Sequence, residues 1–173
     1  MSVALAAIAI LLFGNFSTKA KSDNEVLISA HMVGLGEVPP NTSRGVADFS
    51  ATISSDGSII TYTLKWSDLT TLPLFSHMHF GPTKVNGGVM VFLCGGGGKP
   101  ACAQATSGMA TGTITAADIV GPAAQGIPAA PNGNFADVVR AILTRNAYAN
   151  LHTTMFPGGE VRGTVQAPGV KGE

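Results

Sequence analysis

The chain has 173 residues, of which ten are basic, ten are acidic and 22 are glycine, and its formal net charge is zero. The length is that of one ordinary domain. Because there is no basic stripe and no run of like charges, the sequence does not predict binding to nucleic acid or to an anionic membrane surface. A charged fraction of only 12%, together with the many glycines, favours an all-β extracellular domain over a cytosolic helical one.

The chain begins with an apolar segment, residues 3–13, which is followed by small residues as far as Ala20. This segment is too short to span a bilayer but suits the hydrophobic region of a signal peptide. No Lys or Arg precedes it, and a buried N-terminal helix is the alternative. We expect a signal peptide over 1–20, a single domain over 21–173, and a secreted, periplasmic or cell-surface protein that does not span the membrane after cleavage.

Alternating apolar and polar residues predict the strands in the first half of the chain. A strand over 26–33 ends at a segment with two adjacent prolines, which a central strand cannot contain. Strands over 44–54 and 58–66 are joined by Asp56-Gly57, a strong hairpin turn because both of its positions favour positive φ. Two more strands are predicted over 74–80 and 88–94.

The only two cysteines, Cys94 and Cys102, flank a glycine-rich loop of seven residues. In an exported protein the expected role of such a pair is a disulfide. Closing so short a loop would stabilise the fold by about 2 kcal/mol. Metal ligation is the alternative, although the spacing is longer than that of a zinc knuckle.

The second half of the chain predicts both helix and strand. A strand over 109–114 is followed by a helix N-cap signature at Thr115, and apolar residues at helical spacing predict a small helix over 134–144. Strands over 148–153 and 160–166 close the domain. About eight short strands with turn signals predict an all-β fold, an antiparallel Greek-key sandwich or barrel with one or two short helices.

Three of these strands each have one apolar face and one polar face, because side chains alternate along a strand. His77 and His79 lie opposite Met78 on the strand over 74–80. If the three strands are neighbours, their polar faces form one patch. The polar residues are His77, His79, Tyr148, Asn150, His152, Glu160 and Arg162.

The histidines of this patch predict either a metal site or a structural network. Imidazoles at positions i and i+2 of one strand, His77 and His79, can converge with His152 on one ion, and three nitrogens suit copper or zinc. Glu160 would be a fourth ligand or would accept an imidazole N–H. In the alternative, the histidines join a hydrogen-bond network with Tyr148, Asn150, Arg162 and Glu160, which includes an ion pair between Arg162 and Glu160.

Catalysis has little support in the sequence. There is no Gly-x-Ser-x-Gly motif around a nucleophilic serine, and the glycine loop is not followed by the residues of a phosphate-binding loop. His31, the fourth histidine, is expected on the surface. We therefore expect a non-enzymatic binding or structural module that holds at most one copper or zinc ion. The alternative is a mononuclear copper or zinc protein with redox or hydrolytic activity.

Several runs of this sequence resemble the CHRD domain, a family named from chordin. The matching runs are Gly36-Glu37-Val38-Pro39-Pro40, Asp56-Gly57 with the strand that follows it, His77-Met78-His79-Phe80-Gly81-Pro82, residues 113–118, residues 146–153 and Pro157-Gly158-Gly159-Glu160-Val161-Arg162-Gly163. The resemblance implies an immunoglobulin-like or barrel architecture, an extracytoplasmic setting and no enzymatic activity. It does not identify the protein or surface partner. The loop between the cysteines departs from the family pattern and looks like a local insertion.

Overall fold

The computed structural model describes residues 25–168, so the expected signal peptide lies outside the described part of the chain. Within it are eight strands and one α-helix, α1 (Phe135–Leu143). The strands are β1 (Val26–Val33), β2 (Val46–Ile53), β3 (Ile60–Ser67), β4 (Pro73–Phe80), β5 (Gly88–Cys94), β6 (Gly108–Ile114), β7 (Ala147–Thr153) and β8 (Val161–Thr164). No helix among these residues combines the length and the apolar character needed to cross a bilayer.

The eight strands form a single sheet in the order β5-β4-β7-β8-β1-β2-β3-β6, and every neighbouring pair is antiparallel. The sheet curls into a nearly closed barrel. At its seam, the hydroxyl of Tyr62 on β3 donates a hydrogen bond of 2.6 Å to the carbonyl of Leu93 on β5. The predicted all-β antiparallel architecture is therefore confirmed.

The barrel is filled by one side of each strand. Phe49, Leu64, Met78 and Leu151 are among the residues that this core buries almost completely. The hairpin predicted at Asp56-Gly57 joins β2 and β3, but its loop is longer than two residues, because the strand register ends at Ile53 and Ile60. Gly57 has positive φ, 69°, whereas Asp56 does not. Burial of the alternate apolar side chains is the main force that holds the strands in this register.

The predicted helix and the predicted disulfide are both present. Helix α1 begins after Asn134, whose side chain accepts a hydrogen bond from the backbone N–H of Ala136 and so caps the first turn. Cys94, at the end of β5, forms a disulfide with Cys102 across a Cα–Cα distance of 5.0 Å. The alternative role of these cysteines as metal ligands is therefore wrong.

Candidate metal centre

The three strands with polar faces are neighbours in the sheet, in the order β4-β7-β8. The register pairs His77 with Asn150 and Asn150 with Arg162, so these side chains lie on the same face. The alternate residues on the three strands, such as Met78 and Val161, belong to the hydrophobic core. The polar patch therefore lies on the outer face of the barrel wall.

His77, His79 and His152 come together on this patch. Each offers a ring nitrogen, and these nitrogens lie within 4.8 Å of one another. The centroid of the His77 ring is 4.5 Å from that of His79 and 4.7 Å from that of His152. We call these three residues the histidine cluster. Their spacing is compact enough for small side-chain movements to bring all three onto one ion.

Although the cluster lies outside the barrel, it is not open to solvent. His77 is only 4% exposed and His152 only 7%, whereas His79 is partly buried. The loop after β4 covers one side, and the turn at Pro157 covers another through its contact with His152. Alternation along the strands predicted which side chains share the face. It could not predict that the loops after β4 and β7 fold back over this face, because the period of a strand says nothing about the path of the loop that follows it.

Backbone carbonyls orient two of the three imidazoles. Nδ1 of His79 donates to the carbonyl of Gly87 at 2.8 Å, and Nδ1 of His152 donates to that of Pro157 at 2.9 Å. A carbonyl can only accept, so each Nδ1 carries the proton and each Nε2 has a free lone pair. This is the usual arrangement around a metal-binding histidine in proteins.

The remaining nitrogens of the cluster are sparsely satisfied. Oδ1 of Asn150 lies 3.2 Å from Nε2 of His79; because both are acceptors in this tautomer, the amide donates to Nε2 only when it is turned to present Nδ2. Nε2 of His152 and Nδ1 of His77 are both buried, and neither has a hydrogen-bond partner among the described residues. Buried polar atoms without a partner are rare in native proteins and call for an explanation.

Aromatic rings form the walls of the cluster. Phe75 lies 4.5 Å from His152 and 5.3 Å from His77, measured between ring centroids. Phe92, on β5, meets His77 edge-on at 5.1 Å, and Tyr148 stacks on His79 at 4.5 Å. These rings exclude water from the imidazoles, which penalises the charged form of each histidine.

The histidines are consequently neutral at physiological pH. Burial lowers the pKa of His77 to about 2, and the neighbouring imidazoles of His79 and His152 lower it further. Burial also lowers the pKa of His79 to about 4 and lowers that of His152. Neutral imidazoles keep the lone pair that a metal ion requires.

Arg162 of the patch pairs with Glu37, not with Glu160 as expected from the sequence. Its Nε lies 2.8 Å from Oε2 of Glu37, and both side chains are almost completely buried. Its guanidinium lies 4.3 Å above the centre of the Tyr148 ring and donates to Asn86 Oδ1 at 2.9 Å. Burial raises the pKa of Glu37, and the charge of Arg162 opposes that effect. Sequence reasoning missed Glu37 as a site residue, and only the family resemblance marked its segment.

Glu160 is fully buried but is not part of the histidine cluster. Its Oε1 accepts hydrogen bonds from Ser43 Oγ at 2.6 Å and from the backbone N–H and Oγ1 of Thr70 at 2.7 and 2.9 Å. Its Oε2 accepts one from Thr153 Oγ1 at 2.6 Å. The carboxylate thus ties two distant loops to the end of β7.

His31 lies on β1, outside the cluster, where its ring is exposed as predicted. Its Nδ1 is 2.7 Å from Oδ1 of Asp48 on the neighbouring strand. The exposed side chains of this pair contribute little to stability. His31 is therefore an exposed histidine with which the properties of the buried histidines can be compared.

The fold and the cluster define an antiparallel β-barrel protein with three buried, neutral histidines on its outer wall. A family model for the CHRD domain matches residues 28–165. The match spans most of the chain, which therefore belongs to the CHRD domain family. Membership of this family supports a role as a binding or structural module. Neither the curated proteins nor the solved structures provided a match.

We predict that the metal-free protein loses stability as the pH falls from 6.5 to 4. Below pH 6.5, the usual pKa, the unfolded chain binds protons at His77 and His79 that the folded chain excludes. Stability should therefore be complete above pH 6.5 and fall by up to about 1.4 kcal/mol per pH unit for each such histidine. Urea unfolding at several pH values, with a chelator present, measures the free energy of unfolding as a function of pH. A His77→Gln variant should show a shallower dependence, and an unfolding midpoint independent of pH would contradict the prediction.

We predict that Glu160→Gln lowers the free energy of unfolding by about 1–3 kcal/mol, because an amide cannot accept all the hydrogen bonds that the carboxylate accepts. Chemical denaturation measures the change. Asp48→Asn, at an exposed carboxylate, is the matched control and should change stability by less than about 0.5 kcal/mol. Loss of metal binding with unchanged stability would instead make Glu160 a ligand.

Proposed function

We propose that the histidine cluster binds one copper or zinc ion, and that the protein is an exported, non-enzymatic binding module. The observation that carries the proposal is the pair of buried, unpartnered nitrogens, His77 Nδ1 and His152 Nε2. Leaving a buried polar atom without a partner costs about 1–3 kcal/mol. A metal ion would use both lone pairs, together with that of His79.

A purely structural network explains less of the geometry. It accounts for the carbonyls that orient His79 and His152 and for the contact between His79 and Asn150. It leaves the two unpartnered nitrogens unexplained. Three neutral imidazoles, two of them oriented by backbone carbonyls and all in contact with aromatic rings, favour a preorganised ligand set.

A binding role is better supported than an enzymatic one. A free carboxylate beside the ion, able to act as a general base, would favour a hydrolytic role. Both buried carboxylates near the patch already have partners: Glu37 pairs with Arg162, and Glu160 accepts hydrogen bonds from Ser43, Thr70 and Thr153. The cluster thus supports metal binding or a metal-stabilised surface.

Export is supported by three independent features. The apolar segment over 3–13 has the length of a signal-peptide core. The disulfide between Cys94 and Cys102 is of the kind that persists outside the cytoplasm. The CHRD family also favours an extracellular setting.

We expect the purified protein to bind one equivalent of zinc or copper, as measured by calorimetric titration and elemental analysis. His152→Ala should weaken binding by about 100-fold or more, because it removes a ligand, whereas loss of a supporting residue costs about 10- to 100-fold. Zinc should also raise the melting temperature, because it binds only the folded chain.

His31→Ala is the matched control for this measurement, since it removes an exposed histidine outside the cluster, and it should leave metal affinity unchanged. If no metal binds stoichiometrically and His77→Ala merely lowers the melting temperature, the structural network is the correct interpretation.

When the full-length chain is expressed, we expect the mature protein to be found outside the cytoplasm with Lys21 as its first residue. Intact-mass measurement on protein from the periplasm or the medium checks the cleavage site. Replacing Leu11 with Arg should retain the uncleaved precursor inside the cell, because a charge interrupts the apolar region. Export of the mature protein by this variant, or an uncleaved N-terminus on the exported protein, would contradict the proposal.

A further inference from the structure

The glycine-rich loop between the cysteines packs on the aromatic wall of the histidine cluster. A Cβ at Gly96 would lie 2.6 Å from Cδ1 of Phe92, and a Cβ at Gly97 would lie 2.7 Å from Cδ2 of the same ring. Real Cβ atoms do not approach other atoms this closely. The loop can therefore lie against both edges of the Phe92 ring only because these residues are glycines.

Phe92 connects this loop to the cluster. Its ring meets His77 edge-on at a centroid distance of 5.1 Å and meets Phe75 at 6.4 Å. Gly95 packs against Phe75, where its Cβ would lie 2.8 Å from the Phe75 Cα. Three consecutive glycines thus contact the two phenylalanines that shield His77.

The loop is held in place at several points. The disulfide closes it, and the backbone N–H of Gly95 donates to the carbonyl of Pro100 at 2.8 Å. Nζ of Lys99 donates to Asp118 Oδ1 at 2.7 Å. Beyond the loop, the side-chain amide of Gln104 donates to the carbonyl of Pro73, at the start of β4, at 3.1 Å.

We propose that the loop over residues 95–101, closed by the disulfide, is a cover that holds Phe92 against His77 and limits the passage of a metal ion to the histidine cluster. Its effect on metal exchange rests on the proposed function. The cover itself is a property of the metal-free protein.

The contact between Phe92 and His77 depends on the loop because of where Phe92 lies in the sheet. Strand β5 is at one end of the sheet and pairs with β4 alone, with irregular register beside His77. Edge strands with interrupted pairing open more readily than central ones. Closing the loop at Cys94, two residues after Phe92, restricts this opening and keeps the ring in contact with the imidazole.

Metal exchange tests the cover directly. The unaltered protein, a Cys94→Ser/Cys102→Ser double variant and Phe92→Ala are loaded with zinc and mixed with excess EDTA. We expect about tenfold faster zinc release from both variants, as for a site that opens locally more often. Ala101→Ser, an exposed substitution within the loop, keeps the disulfide and should release zinc at the original rate. Unchanged release from folded forms of both variants would overturn the proposal.

Histidine modification tests the cover without metal. Diethyl pyrocarbonate acylates accessible neutral imidazoles, and exposed His31 provides an internal reference rate in every variant. We expect the rate at His77 relative to His31, measured by peptide mass spectrometry, to rise about tenfold in Phe92→Ala and in the double variant. Phe92→Leu should restore most of the protection. Equal relative rates in all variants would refute the cover.

The two measurements separate the two proposals. If the unaltered protein binds no zinc but His77 becomes reactive in the variants, the metal proposal fails and the cover stands as a shield for the histidines. If zinc binds and neither release nor modification changes in the variants, the metal proposal stands and the cover fails.

Discussion

The burial of β7 on both faces is the constraint on which the rest of the structure depends. All seven of its residues are buried, between β4 on one side and β8 on the other. One face contributes Ala149 and Leu151 to the barrel core. The other presents Tyr148, Asn150 and His152 outside the barrel, where a strand would ordinarily face water. Loops must cover these side chains, and this covering converts a polar sheet face into a site.

Covering a polar face carries an electrostatic cost, and the protein offsets most of it by pairing. Arg162 is buried with Glu37, and the carboxylate of Glu160 accepts its hydrogen bonds from nearby hydroxyls and a backbone N–H. Breaking either arrangement would leave a buried charge uncompensated. The histidines avoid that cost by remaining neutral. Two of their nitrogens are buried without a hydrogen-bond partner among the described residues, as is Oε1 of Glu37.

The barrel seam and the cluster are linked through β5. Its inner face contributes Met90 and Leu93 to the core, and Phe92 packs on His77. Cys94 ends the strand and closes the glycine loop above that ring.

The sequence alone determined the features that depend on local periodicity. Alternation predicted the strands and the shared face of His77, His79 and His152, helical spacing predicted α1, and Asp56-Gly57 predicted the hairpin. The pair Cys94 and Cys102, in a chain expected to be exported, predicted the disulfide. Tertiary structure alone decided that loops bury the polar face, that Glu37 is the partner of Arg162, and that the glycines pack on Phe92. Each of these is a contact between segments distant in the chain or displaced from the strand register. The period of a strand records which way a side chain points but not what packs against it.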